Sequence, residues 1–284
     1  MCNTNVASPG ILTTASTEHA VDRYLDLMKR CLSGLIAGPQ LFEVTSESAI
    51  KRFLASMFLY RKGMLVACRE RFDPKLRDDG RDIPVAAETA MGLKRLTNLE
   101  LCVRNVVRDG IPGDLIETGV WRGGAVILMR AVLKAYGITD RNVYVADSFQ
   151  GLPKPSQKYH WEKRTDPPNL FVIDPDTVRQ NFAKYDLLDG QVHFLVGWFK
   201  DTLPNAPFNR LAVMRLDGVL YESTIDALNS LYHKLSTGGY CIVDDYNSSE
   251  GCRKAVDEFR DLHGIKDPLV AIDWTGVYWR KTAG

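Results

Sequence analysis

Apolar residues recur at helical spacing through the first hundred positions. In HAVDRYLDLMKRCLSGLI, Val21, Leu25, Met28, Leu32 and Leu35 share one face, IKRFLASMFLYRKGML repeats the pattern, and a third helix over Thr89–Val107 turns Leu93, Leu96, Leu99 and Val103 inward. No strand-like run interrupts this stretch, which reads as a helical preface. From residue 114 the pattern changes: short apolar runs at 114–118, 142–148, 191–196, 211–216 and 239–245 alternate with helical stretches at 124–136, 176–186, 222–235 and 251–262. Such alternation predicts a doubly wound α/β fold with a parallel sheet, whose ligands sit at the carboxyl ends of the strands. The close differs, because PLVAIDWTGVYWR is two short strands around a Thr-Gly turn, a hairpin that ends in an antiparallel edge strand. The expected division is a disordered tail over 1–17, the helical preface over 18–110 and the α/β core over 111–284. Residues 150–175 hold five of the 13 prolines and no periodicity, so they form a long loop; following Asp147, it is placed to fold over a ligand as a lid.

Composition narrows the class of partner. Thirty-six basic residues against 35 acidic ones leave a net charge of +1, so no global field recruits nucleic acid or an anionic membrane. A small molecule is the expected partner. The six cysteines (2, 31, 68, 102, 241 and 252) form no C-x-x-C pair and read as small core hydrophobes of a reduced, cytoplasmic protein. The opening MCNTNVASPGILTTAST lacks a cationic n-region and a long apolar run, and reads as a frayed tail rather than a signal peptide. No stretch approaches the ~18 consecutive apolar residues of a membrane span.

The chemistry gathers at strand ends. DLIETGVWRGG is a strand that ends at an acid, Glu117, followed by a glycine-broken turn and an amphipathic helix; NVYVADSF places Asp147 at the end of the next strand. Two acids at successive strand ends suit the two hydroxyls of a ribose, since an ionised carboxylate accepts from both. A dinucleotide site wants G-x-G-x-x-G. Here the spacing is G-x-x-x-G-G, closer to the glycine-containing first motif of S-adenosylmethionine (SAM) methyltransferases; plain strand-to-helix punctuation is the alternative. Further on, LAVMRLDG ends in Asp217 and GGYCIVDDY in Asp244 and Asp245. Neighbouring parallel strands lie about 5 Å apart, which brings three carboxylates into one small space. Their repulsion is relieved by raised pKa values or by a cation, and all-oxygen ligation points to Mg²⁺ first, Ca²⁺ or Mn²⁺ next. Alternatively, Asp217 caps the helix that begins in LYESTIDAL. The histidines (19, 160, 193, 233 and 263) show no ligand spacing, and only His160, in the lid, lies near the chemistry.

LIETGVWRGGA, VADSFQGLPKP, VGWFKDTLP, RLDGVLYESTIDALNSLYHKLSTGGYCIVDDY and CRKAVDEFRDLHGI, in that order, resemble the macrocin O-methyltransferase family, from about Tyr24 to Arg280. The resemblance implies a class I SAM-methyltransferase fold: a Rossmann-like seven-stranded sheet with an antiparallel C-terminal hairpin and an N-terminal helical extension. It implies an enzyme that methylates sugar hydroxyls of antibiotics with SAM and Mg²⁺, and a homodimer or larger assembly built partly through the helical preface. Glu117, Thr118 and Gly119 then hold the methionine and ribose ends of the cofactor, Asp147 and Ser148 the adenosine, Gly197 and Trp198 flank the adenine, and Met91 reaches over from the preface. Asp217, Asp244 and Asp245 match the metal triad, with Asp217 in the catalytic centre. One departure stands out: where several relatives read D-G-D, with the second Asp as proposed general base, this chain reads Asp217-Gly218-Val219. The expected function is SAM- and Mg²⁺-dependent O-methylation of a specialised metabolite or glycoside. A non-methylating reaction (elimination, rearrangement or cyclisation) and a catalytically silent SAM-binding partner are the alternatives that Val219 raises. Trp161 and Tyr159 are either apolar walls of the acceptor pocket or packing residues.

Overall fold

The computed structural model describes residues 14–43, 67–69, 71–159, 162 and 169–282. Among them the main sheet has seven strands: β3 (Asp114–Thr118), β4 (Val143–Asp147), β5 (Val192–Val196), β6 (Leu211–Leu216), β7 (Leu235–Val243), β8 (Val270–Ala271) and β9 (Val277–Arg280). Their spatial order is β5-β4-β3-β6-β7-β9-β8, with β5 to β7 parallel and β9 antiparallel to both β7 and β8. The run LAVMRL, apolar except for Arg215, makes β6 a strand buried at every position, as a central parallel strand covered on both faces must be. The chain builds outward from β3 through β4 to β5, then returns to β3's other side with β6. That reversal opens a crevice at the carboxyl ends of β3 and β6, where the predicted acids lie.

The strands and helices of the core fall where periodicity places them, with one revision. β7 starts at Leu235, four residues before the predicted 239, because a 3-10 turn over Tyr232–Lys234 ends the preceding helix early. The polar S-T-G-G reads as a turn but lies within the strand. Pairing with β6 shifts there, β6 advancing from Leu211 to Val213 while β7 advances from Leu235 to Tyr240.

The preface is not a separate core. Leu25, Met28 and Leu32 of the Thr14–Leu32 helix and Leu96, Leu99 and Val103 of the Leu93–Arg108 helix join one apolar cluster with Leu115 of β3 and Val126–Met129 of the Gly124–Ala135 helix. Ion pairs tie the same helices together, with Glu100 meeting Lys29 at 2.7 Å and Arg104 at 3.0 Å. Three expectations for this region change. Residues 14–17, assigned to the tail, are helical, and positions 1–13 lie outside the described residues. The third helix begins at Leu93 rather than Thr89, because the Thr89 hydroxyl accepts the Met91 N–H at 3.1 Å and holds that segment out of the helix. The preface also contains strands: β1 (Leu41–Glu43) pairs antiparallel with β2 (Ala67–Arg69), a ribbon too short for periodicity to announce. The helix predicted over IKRFLASMFLYRKGML, residues 50–65, falls outside the described residues. Among the described residues no helix is long and apolar enough to cross a membrane, and Cys31, Cys102, Cys241 and Cys252 are free thiols.

Among the described residues the 150–175 loop is held by the Trp121 indole N–H, which donates to Leu170 O at 3.2 Å, and by contacts with the helix that follows β6. The Ser156 N–H donates to Glu222 Oε2 at 2.9 Å, and Glu162 Oε1 accepts the N–H of Tyr221, the first residue of the Tyr221–Leu231 helix, at 2.8 Å. Gly251 makes room for this contact, since a Cβ there would fall 1.6 Å from Glu162 Oε1. Replacing Glu162 with alanine removes the acceptor of an otherwise orphaned helix N–H. We expect a loss of about 1 kcal/mol, read as a thermal midpoint a few degrees lower by calorimetry; an unchanged midpoint would show that the contact carries no weight.

Candidate active site

The crevice at the strand ends is a cavity of about 560 Å³, within the range of small-molecule sites. Of the predicted site residues, Met91, Glu117, Gly119, Asp147, Ser148, Trp198, Asp217, Asp244 and Asp245 line it; Thr118 and Gly197 do not. Gly119, directly after β3, adopts φ +82°, and a Cβ on it would fall 2.0 Å from the Asp217 carbonyl oxygen, so only glycine lets the β3 and β6 ends approach so closely. The turn continues through Trp121 at φ +47°.

Each acid is oriented by backbone amides. Glu117 is buried; its Oε2 accepts the Val126 N–H at 3.2 Å in the first turn of the following helix, and its Oε1 pairs with Arg215. Burial pushes this carboxyl up to about 8 despite the Arg215 guanidinium. Asp147 accepts the N–H groups of Val120 and Phe149, both at 2.8 Å, one on each oxygen. Burial raises its pKa while those bonds hold it down. The backbone N–H groups of Trp121 and Ser148 also favour its charged form, so the Asp147 carboxylate sits in a nest of amides at the strand end. Ser148 spends its hydroxyl locally, donating to Gly151 O at 3.2 Å and accepting the Gln150 N–H at 3.0 Å. Gly197 contributes through the backbone: its N–H donates to Asp147 O at 2.9 Å and sets up the turn that carries Trp198.

Thr118 is fully buried and its hydroxyl has no hydrogen-bond partner among the described residues. Thr118→Val is therefore expected to leave S-adenosylhomocysteine (SAH) affinity unchanged and stability equal or higher by about 1 kcal/mol. Asp147→Ala is expected to weaken SAH at least ~10-fold, the cost of about one charge-assisted bond. Calorimetric titration of the two variants checks both, and equal losses would contradict the placement.

The second acidic group forms where β6 and β7 end. Asp217, Asp244 and Asp245 each offer an oxygen within 4.8 Å of the others. Arg215, inside β6, bonds Asp244 and Glu117 and lies 3.0 Å from Asp217; Arg95, from the preface, bonds Asp244 and reaches Asp273 at 3.0 Å. Burial disfavours charge on Asp244, but the two arginines outweigh it and lower its pKa. Asp217 and Asp245 move the other way, raised by burial and by their neighbouring carboxylates, Asp245 strongly so. Two guanidinium groups thus face five carboxylates, and Asp245 Oδ2 is buried without a hydrogen-bond partner among the described residues. An orphaned carboxylate oxygen in an all-oxygen, under-neutralised cluster fits a hard divalent cation. The capping alternative for Asp217 falls: Leu220 is the N-cap of the next helix, and Glu162 accepts its first N–H.

Val219 adopts φ +59°, with the Leu220 N–H donating to Gly218 O at 2.6 Å across it. This is a γ-type turn with a β-branched residue in the left-handed region, a cost of about 1–3 kcal/mol. Its side chain lines the cavity beside Asp217, and its carbonyl accepts the Ser249 hydroxyl at 2.6 Å.

Sequence reasoning missed Arg215, Arg95 and Glu162. A charge within an otherwise apolar strand run was a usable signal for Arg215; the other two carry none. Tyr159 does not line the cavity but stacks on Tyr221 with ring centroids 4.4 Å apart, a packing role, while His160 and Trp161 lie outside the described residues.

Residues 21–281 match the model of the macrocin O-methyltransferase (TylF) family. The chain is 50% identical over 274 residues to 8-demethyl-8-(2,3-dimethoxy-alpha-L-rhamnosyl)-tetracenomycin-C 4'-O-methyltransferase of Streptomyces olivaceus, covering 94% of this chain and 95% of that protein. It is 45% identical over 281 residues to mycinamicin III 3''-O-methyltransferase of Micromonospora griseorubida, covering 94% and 100%. The solved structure of the O-methyltransferase NovP superposes with a TM-score of 0.78 at 44% identity, over 93% of this chain and all of that one.

Proposed function

We propose, for a chain that belongs to the macrocin O-methyltransferase family and is therefore a SAM-dependent O-methyltransferase, that the acceptor is a sugar hydroxyl of a glycosylated specialised metabolite and that a divalent cation, Mg²⁺ first, sits at Asp217, Asp244 and Asp245. The observation that carries the reading is the shared cavity: the nucleoside-type acids, Glu117 and Asp147, and the under-neutralised triad line one space, with Arg215 linking Glu117 to Asp217 and Asp244. In this reading Asp147 receives the ribose diol, Glu117 and the Gly119 turn face the amino-acid end of SAM, the Gly197–Trp198 turn flanks the adenine, and Met91 reaches over from the preface.

A bound divalent cation supplies Lewis-acid polarisation of a hydroxyl at this site. The protein's own part is orientation. Arg95 and Arg215 hold Asp244 from both sides, so the triad is stiff before any ligand arrives. The 150–175 loop, held through Ser156 and Glu162, walls one side of the cavity. Positioning of the acceptor oxygen in line with the sulfonium carries much of the barrier. Val219 accepts no proton, so Asp217, with 29% of its side chain exposed, is the carboxylate placed to receive one.

The test is the purified protein with SAM, Mg²⁺ and three sugar-bearing acceptors taken from relatives: the rhamnosyl-tetracenomycin above, mycinamicin III and demethyldecarbamoylnovobiocin. SAH release matched by a product one methylene heavier supports the reading. SAM binding without turnover of any of them would overturn the acceptor class. We also propose a cytoplasmic homodimer: Leu27 and Leu101 remain about half exposed on the preface helices. A monomer by light scattering would remove that assembly.

A further inference from the structure

The cavity is acidic at its floor, the strand ends, while at its mouth, towards solvent, large apolar side chains stand among charged ones, Arg81, Asp82 and Lys154. On one rim stand Ile83, 52% exposed, and Trp274, 40% exposed; on the other the lid presents Leu152, Pro153 and Phe171. Leaving large apolar side chains in water forgoes burial worth roughly 1.5–3 kcal/mol each, and these belong to the wall of a ligand cavity rather than to scattered surface.

Trp274 is also held in place. It occupies the turn between β8 and β9, its indole N–H donates to Asp79 O at 2.9 Å, and Arg81 lies 4.5 Å from its ring centroid. The same turn is bolted to the triad: the Thr275 hydroxyl donates to Asp244 O at 2.8 Å, the Asn247 N–H to Thr275 O at 2.9 Å, and Asp273 meets Arg95, which also holds Asp244. A rigid aromatic plate therefore stands in fixed register with the carboxylates of the floor. An acceptor whose hydroxyl reaches that floor must pass its remaining bulk out through this mouth.

We propose that Trp274, with Ile83, is the platform for an apolar ring system of the acceptor's aglycone, and that this contact sets preference for the intact glycoside over the free sugar. The proposal rests on the acceptor class under Proposed function. The indole gives stacking area at little entropic cost, because its hydrogen bond and the Arg81 contact have already ordered it.

The experiment compares two acceptors, 8-demethyl-8-(2,3-dimethoxy-α-L-rhamnosyl)-tetracenomycin C and methyl 2,3-di-O-methyl-α-L-rhamnoside, which shares the sugar without the ring system. For Trp274→Ala, KM toward the tetracenomycin glycoside is expected to rise about 10-fold or more with kcat within about 2-fold, while KM toward the methyl glycoside stays unchanged. Trp274→Phe should recover most of the loss, and Ile83→Asp, at a position that folding tolerates, should reproduce it in part. SAH affinity, measured by calorimetry, should be equal in all variants. Equal losses on both acceptors, or none in Trp274→Ala, would overturn the platform. If the wild type methylates neither acceptor, the acceptor reading fails on its own. Direct titration of the tetracenomycin glycoside in the presence of SAH then decides the platform: weaker binding by Trp274→Ala upholds it, and equal affinity or no binding to the wild type overturns it.

Discussion

Exchange of Asp245 for asparagine is expected to lower methyl transfer by about 100-fold or more and to abolish measurable Mg²⁺ binding, with the fold retained. The charge balance gives the reason. Asp245 packs beside Asp217 and Asp244, its Oδ2 is buried with no partner among the described residues, and its carboxyl is pushed well above the usual range by desolvation and those two neighbours. Asn keeps the shape and cannot take on the charge that burial and the two neighbours disfavour, so the metal-free protein loses no favourable ionisation and its thermal midpoint should stay level or rise. Mg²⁺ should raise the midpoint of the wild type, because a ligand that binds only the native state stabilises it by mass action, and should leave the variant's midpoint unmoved. Scanning calorimetry with and without Mg²⁺, beside an SAH-release assay, reads both effects. Full activity of Asp245→Asn, or wild-type activity that survives exhaustive EDTA treatment, would remove the cation from the reaction.

The second large effect is expected at Val219. Val219→Asp should raise methyl transfer to an aliphatic sugar hydroxyl by about one decade or more, since a positioned base is commonly worth ~10²–10⁴ in rate. Aspartate also tolerates the left-handed backbone that valine resists, which returns about 1 kcal/mol. The opposing term is a further anion beside Asp217, whose carboxyl is already raised by burial and by Asp244. Val219→Asn separates the contributions: it relieves the backbone without adding a proton acceptor, so its stability should rise while its rate stays at the wild-type level. If Asn raises the rate as much as Asp, backbone relief rather than proton transfer is responsible. A lower rate with Asp on every acceptor would mean the site is tuned to a hydroxyl that is already acidic, and the prediction would fail.

By itself the sequence determined what depends on near neighbours in the chain. The alternation of apolar runs with amphipathic stretches placed β3 to β7 and their helices, and acids at the ends of apolar runs located Glu117, Asp147, Asp217 and the Asp244–Asp245 pair on one sheet edge. Those features are local, because a strand's end and a turn's glycine are properties of a few consecutive residues. The long-range pairings were decided by the tertiary structure. Arg95 meets Asp244 across 149 positions and Arg215 meets Glu117 across 98, and neither partner marks the other in sequence. The short β1–β2 ribbon, the Glu162 fastening of the lid and the placement of Thr118 off the cavity wall belong with them. Val219 divides between the two levels: its identity is plain in the sequence, whereas its left-handed backbone follows from closing β6 onto the next helix within a few residues. Periodicity records which face of an element is apolar. Which charge neutralises which, and which backbone is strained, is fixed only when separate elements pack and water is excluded between them.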